Sequence, residues 1–130
     1  MTIQRKSIIF SLLFCIIIII STGCTYVTPD YGNYTVSYIR VNPSEAFVKI
    51  NTSKKFEVKA YDSEDNLISI NPTEVSWYFT FECPLCTNVG KINPENGSTS
   101  TNFTPYRVGK YFIYASYKGK SDNSPVEGIQ

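Results

Sequence analysis

The sequence predicts an all-β fold, a sandwich of two sheets, and three observations carry that expectation. Apolar and polar residues alternate at period two across Lys55–Tyr61, Val75–Phe81 and Tyr111–Tyr117. Residues favouring turns interrupt the pattern at 42–43, 51–53, 62–66, 71–72, 93–97 and 118–120. No stretch of about ten residues carries the 3.6-residue period of an amphipathic helix. Seven or eight short strands in about 95 residues match a two-layer sandwich, and roughly a hundred residues can close its core.

The first segment is an address rather than part of that fold. Arg5 and Lys6 precede an apolar run from Ile8 to Ile20, broken only by Ser11, which reads as a charged region followed by the hydrophobic region of a secretion signal. As a helix those thirteen residues rise about 20 Å, short of the ~30 Å hydrocarbon layer. Ser21-Thr22-Gly23-Cys24 follows at once and resembles the lipobox of bacterial lipoproteins, with Ser21 where Leu is typical. The resemblance implies cleavage after Gly23, lipid attachment at Cys24 and a membrane as partner. It divides the chain into a signal peptide at 1–23, a lipidated N-terminus and linker at 24–36, and a domain at 37–130. Two or three acyl chains would hold such a protein stably. Thr25–Thr35, interrupted by Pro29, Gly32 and Asn33, reads as a tether able to span about 35–40 Å.

Within the domain the order of elements is as follows. Weaker strands are expected at Ser37–Val41 and Ala46–Ile50. Lys55–Tyr61 turns Phe56, Val58 and Ala60 to one face and Lys55, Glu57 and Lys59 to the other. Val75–Phe81 points Val75, Trp77, Phe79 and Phe81 inward. Val89–Ile92 and Ser98–Phe103 are short candidates. Tyr111–Tyr117 points Tyr111, Ile113, Ala115 and Tyr117 inward, and Pro125–Ile129, weakened by Gly128, closes the series.

Five cues in this order, Ile39-Arg40-Val41-Asn42-Pro43, Phe56 to Asp62, Val75-Ser76-Trp77, Val89 to Ile92 and Val108 to Ala115, are similar to the bacterial Ig-like domains of surface proteins and adhesins. The resemblance implies an Ig-like sandwich with Trp77 between its sheets, and a structural, adhesive or protein-interaction role. At Asp62–Asn66 the family often carries Asp-x-x-Gly-Asn, and here Asp65 stands at the glycine position.

Composition limits the chemistry. The chain has no histidine, so Ser-His and Cys-His catalytic pairs and imidazole metal ligands are absent. No enzyme, cofactor or metal is expected. With 12 basic and 11 acidic residues, and no basic cluster beyond Lys54-Lys55, nucleic acid is not an expected partner.

Three features remain as candidate sites. Cys83-Pro84-Leu85-Cys86 reads first as a disulfide clipping a loop outside the cytoplasm, with exchanging thiols, or a metal shared between chains, as alternatives. The acidic turn Asp62, Glu64, Asp65 invites a hard cation but lacks the EF-hand spacing and reads more simply as solvated. Tyr78, Phe112 and Tyr114 fall on the outer face of two strands that should be neighbours. There they either bind a protein or a glycan, or simply pair across the sheet. A carbohydrate-binding accessory protein is therefore the alternative function, and a thiol-disulfide factor a further one.

Overall fold

The computed structural model describes residues 30–130, of which Tyr31–Gln130 form a compact unit. The proposed signal segment and Cys24 lie outside the described residues. The unit is built of nine strands and one short 3-10 turn: β1 (Tyr38–Asn42), β2 (Ala46–Lys49), β3 (Lys54–Tyr61), β4 (Leu67–Ile68), the turn Pro72–Glu74, β5 (Ser76–Phe81), β6 (Gly90–Asn93), β7 (Ser100–Pro105), β8 (Gly109–Tyr117) and β9 (Lys120–Ile129). They form two facing sheets. The first has the order β1-β3-β7-β6 with β4 beside β3, and the second β2-β9-β8-β5. The all-β sandwich expected from period-two alternation is the fold observed.

All pairings are antiparallel except one. β2 runs parallel to β9, with Ala46 opposite Val126 and Lys49 opposite Ile129. The chain thus leaves the first sheet at the end of β1 and joins the second after three intervening residues, so its N-terminal segment belongs to both layers.

Parity along each strand decides what lies between the layers. Phe56, Val58 and Ala60 of β3, Trp77 of β5, and Tyr111, Ile113, Ala115 and Tyr117 of β8 are all buried, as the alternation requires. Phe79 and Phe81 are half-buried and pack against that core. Trp77 fills the inter-sheet space while its indole N–H donates to the Ser98 carbonyl at 2.8 Å, so the one polar atom of the ring is not left unpaired. The buried apolar residues run from Val36 to Val126, so residues 30–130 close their own core.

Three local features of the backbone have identifiable causes. β9 begins at Lys120, five residues earlier than Pro125, because Lys118 and Gly119 both take the left-handed conformation (φ 46° and 74°) of a tight two-residue hairpin. That turn starts pairing at Tyr117 opposite Lys120 despite the polar stretch that follows. Gly128 weakens nothing: a β-carbon there would stand 2.6 Å from the Arg107 carbonyl, so the glycine admits a crossing backbone. Asp65 adopts φ 65°, taking the left-handed position where the Ig-like pattern has glycine.

A tyrosine ties the crossing backbone down. The Tyr111 hydroxyl lies 2.7 Å from the Val89 carbonyl and 2.8 Å from the Arg107 carbonyl, to either of which its proton can be donated, and it accepts the Arg107 N–H at 3.3 Å. Inside the same layer the Ser124 hydroxyl is buried without a hydrogen-bond partner.

The topology gives the unit two poles. Val36 and the start of β1 lie at one, with the loops 62–66, 69–75 and 94–98 and the 118–119 hairpin. At the other lie the loops 50–53, 82–89 and 106–108 and the end of β9, linked by Asn51 N–H to Pro105, Tyr106 N–H to Val89 and Glu82 N–H to Lys110.

Candidate interaction face

The exterior of the second sheet carries the three aromatics singled out by parity. Tyr78 of β5 lies directly opposite Tyr114 of β8, and Thr80 opposite Phe112, so all three share one outer face. Tyr78 is 50% exposed and Phe112 39%, whereas Tyr114, between its neighbours, is half-buried. The Tyr78 and Tyr114 rings stack with centroids 4.7 Å apart and planes 4° from parallel. Phe112 leans towards Tyr114 at 6.4 Å.

This geometry bears on what the face can hold. A sugar ring is gripped by laying its C–H face on an open aromatic face. Here each tyrosine of the pair has given one of its faces to the other, which is the cross-strand pairing that stabilises sheets. What stays open is ring edges, hydroxyls and the far side of Tyr78 at the sheet's margin, since β5 is the last strand of its sheet.

Beside Phe112 the face deepens into a groove of about 320 Å³ lined by Ala46, Phe47, Phe112, Pro125 and Val126, with Glu45, Lys110 and Glu127 among its charged borders. Phe47 is 69% exposed. Phe47 was not among the residues singled out from the sequence. Ala46, Phe47 and Val48 form a run apolar at every position, so parity there has no polar partner to declare which side is out. Pairing with β9 settles it: Val48 is buried and Phe47 faces solvent.

Cys83 and Cys86 are joined in a disulfide, with Cα atoms 5.4 Å apart. The pair closes a turn after β5, Cys86 N–H donating to the Cys83 carbonyl at 3.1 Å. The next regular element is β6, so no helix N-terminus stands behind these sulfurs to stabilise a thiolate.

The acidic turn uses its carboxylates locally. Asp62 accepts the backbone N–H of Glu64 and Asn66 and the side-chain amide of Asn66, which together hold its carboxyl below the usual carboxylate range. Asp65 accepts the Tyr38 hydroxyl at 2.7 Å. Among the described residues no group of three or more Cys, Asp or Glu side chains is arranged to hold a metal ion. On the outside of the first sheet Tyr38 and Tyr61 stack at 5.0 Å with the Arg40 guanidinium over both rings.

Comparison with known proteins adds the fold. No family model and no curated protein matches the chain. Among solved structures it is similar to domains 4 and 5 of the S-layer protein SbsC, at 16% identity and a TM-score of 0.53, covering 75% of this chain and 54% of that one. Domains 5–6 of SbsC match at 18% identity and a TM-score of 0.56, over 75% and 45% of the two chains. A longer piece, domains 4–9, matches at 18% identity and a TM-score of 0.54, over 75% of this chain and 14% of that one. The chain thus spans about half the length, or less, of the S-layer segments it resembles.

Proposed function

We propose that this chain is a non-catalytic module of the bacterial cell envelope, held to a membrane by lipid on Cys24, whose Ig-like sandwich engages a protein partner through the outside of its second sheet. The observation carrying the reading is the continuity of exposed apolar surface there, from Tyr78 through Phe112 to the groove beside Phe47. The likeness to S-layer protein domains supports a surface role for the sandwich. The lipobox-like Ser21-Thr22-Gly23-Cys24 behind an apolar run supports the anchor.

The glycan alternative is less well supported, because the stacked tyrosines keep a face each for one another. The thiol-disulfide alternative has against it a closed disulfide on an all-β frame, followed by a strand rather than by a helix N-terminus.

Two measurements test the reading. Cys24→Ala should move the protein from the detergent phase to the aqueous phase or leave it unprocessed, and a mature-sized product that still partitions into detergent would overturn the anchor. Tyr78→Ser with Phe47→Ser should abolish crosslinking to the cellular partner while the melting curve stays cooperative. Retained crosslinking by that folded variant would overturn the face.

A further inference from the structure

The cations of this chain are scattered in sequence, yet the topology gathers them at one pole. Lys49 ends β2, Lys54 and Lys55 start β3, Lys91 lies near the start of β6, and Arg107 and Lys110 flank the start of β8. All lie at the pole of the 82–89 and 106–108 loops, where the acids are Glu82, Glu127, which lies opposite Lys110, and Glu45, which borders the same groove as Lys110. Nearby Glu57 pairs with Lys55 at 2.6 Å. The opposite pole, where the chain enters, carries Asp62, Glu64, Asp65, Glu74, Glu95 and Asp122 against Arg40, Lys59, Lys118 and Lys120. A chain near neutrality overall therefore has an excess of cations at one end of its strands and of acids at the other.

The basic pole also bears exposed apolar side chains. Leu85, held out on the turn closed by the Cys83–Cys86 disulfide, is 93% exposed, and Val108 on the adjacent corner is 52% exposed. Apolar tips among lysines have nothing to contact on a soluble polyanion. On a bilayer they enter the headgroup and acyl boundary while the cations meet anionic headgroups.

We propose that this basic pole, opposite the N-terminal attachment, docks on an anionic lipid surface through Leu85 and Val108 with Lys49, Lys54, Arg107 and Lys110 around them. The docking needs no lipid on Cys24, so it is tested on residues 30–130, which close their own core. A lipidated chain would then hold lipid at both poles. Its tether reaches about 35–40 Å, enough to lay a ten-residue strand of about 33 Å back on the same bilayer or to span to a second one.

The test is flotation of residues 30–130 with phosphatidylcholine vesicles, with and without phosphatidylglycerol. Binding is expected only with phosphatidylglycerol, and it should fade as salt rises. Arg107→Glu with Lys110→Glu should weaken binding by about thirtyfold or more. Lys118→Glu with Lys120→Glu makes the same change in net charge at the other pole and should leave binding intact. Lys49→Glu with Lys54→Glu gives an independent reading at the basic pole should the first pair fail to fold. Leu85→Ser should weaken binding without altering its salt dependence. Failure to float with phosphatidylglycerol, or equal losses from charge reversal at the two poles, would overturn the proposal. So would unchanged binding by Leu85→Ser together with full displacement by soluble polyphosphate, which would identify a polymer site instead.

Discussion

Ser124 offers a substitution whose sign is opposite to that of an ordinary core mutation. Its hydroxyl is buried between the sheets without a partner, opposite Ile113 of β8. An unsatisfied buried hydroxyl costs about 1–3 kcal/mol relative to its hydrated state. Ser124→Ala keeps the β-carbon and deletes only the oxygen, leaving a void of roughly 15 Å³ that costs about 0.4 kcal/mol at the usual cavity rate. The net expectation is stabilisation by about 1–2 kcal/mol. For a domain of this size each kcal/mol moves the melting temperature by roughly 4–8 °C. Urea unfolding of residues 30–130, with the disulfide intact in both proteins, should give an unchanged slope and a higher midpoint. A lower midpoint for Ser124→Ala would refute the reasoning, since the hydroxyl would then be contributing a bond, for instance to an enclosed water.

Gly128→Ala should destabilise by about 1–3 kcal/mol in the same titration, because the new methyl meets the Arg107 carbonyl rather than a side chain that can swing away. Removing the disulfide with Cys83→Ala and Cys86→Ala should cost at most about 2 kcal/mol, the chain-entropy value for so small a loop, and leave the far-ultraviolet spectrum unchanged. Burial, countered in part by the Arg107 backbone and charge, raises the Tyr111 hydroxyl above its ordinary value of 10. Its contribution to stability is therefore complete below the unfolded value and lost as pH rises through the folded one. The urea midpoint should accordingly drop as pH climbs past about 10, and Tyr111→Phe should remove part of that dependence while lowering the midpoint at neutral pH.

How much of this was legible in the sequence depends on whether neighbouring residues disagreed in polarity. In β3, Lys55, Glu57 and Lys59 alternate with Phe56, Val58 and Ala60, so both strand and facing followed from parity alone. Tyr78, Phe112 and Tyr114 were assigned to one outer face by the same logic, and the register places them there. Phe47 escaped because the residues on either side of it are apolar too. The first half of β9 escaped because Lys120–Ser124 carries no apolar residue. It becomes a strand only because a tight turn delivers it against β8, a tertiary cause. Leu67 and Ile68 made too short a run to declare β4. The basic pole lay furthest from view: six cations separated by as many as 61 positions meet only when strand directions are known. Charge spacing along the chain carries no such information.

The parallel pairing of β2 with β9 has a mechanical consequence. The chain enters at one pole and leaves at the other, so tension between the termini drags these two strands in opposite directions along their length. Their ladder bonds are then strained side by side and must yield together rather than open one after another like a zip. A sandwich threaded this way resists stretching along its long axis, a useful property for a link that bears load.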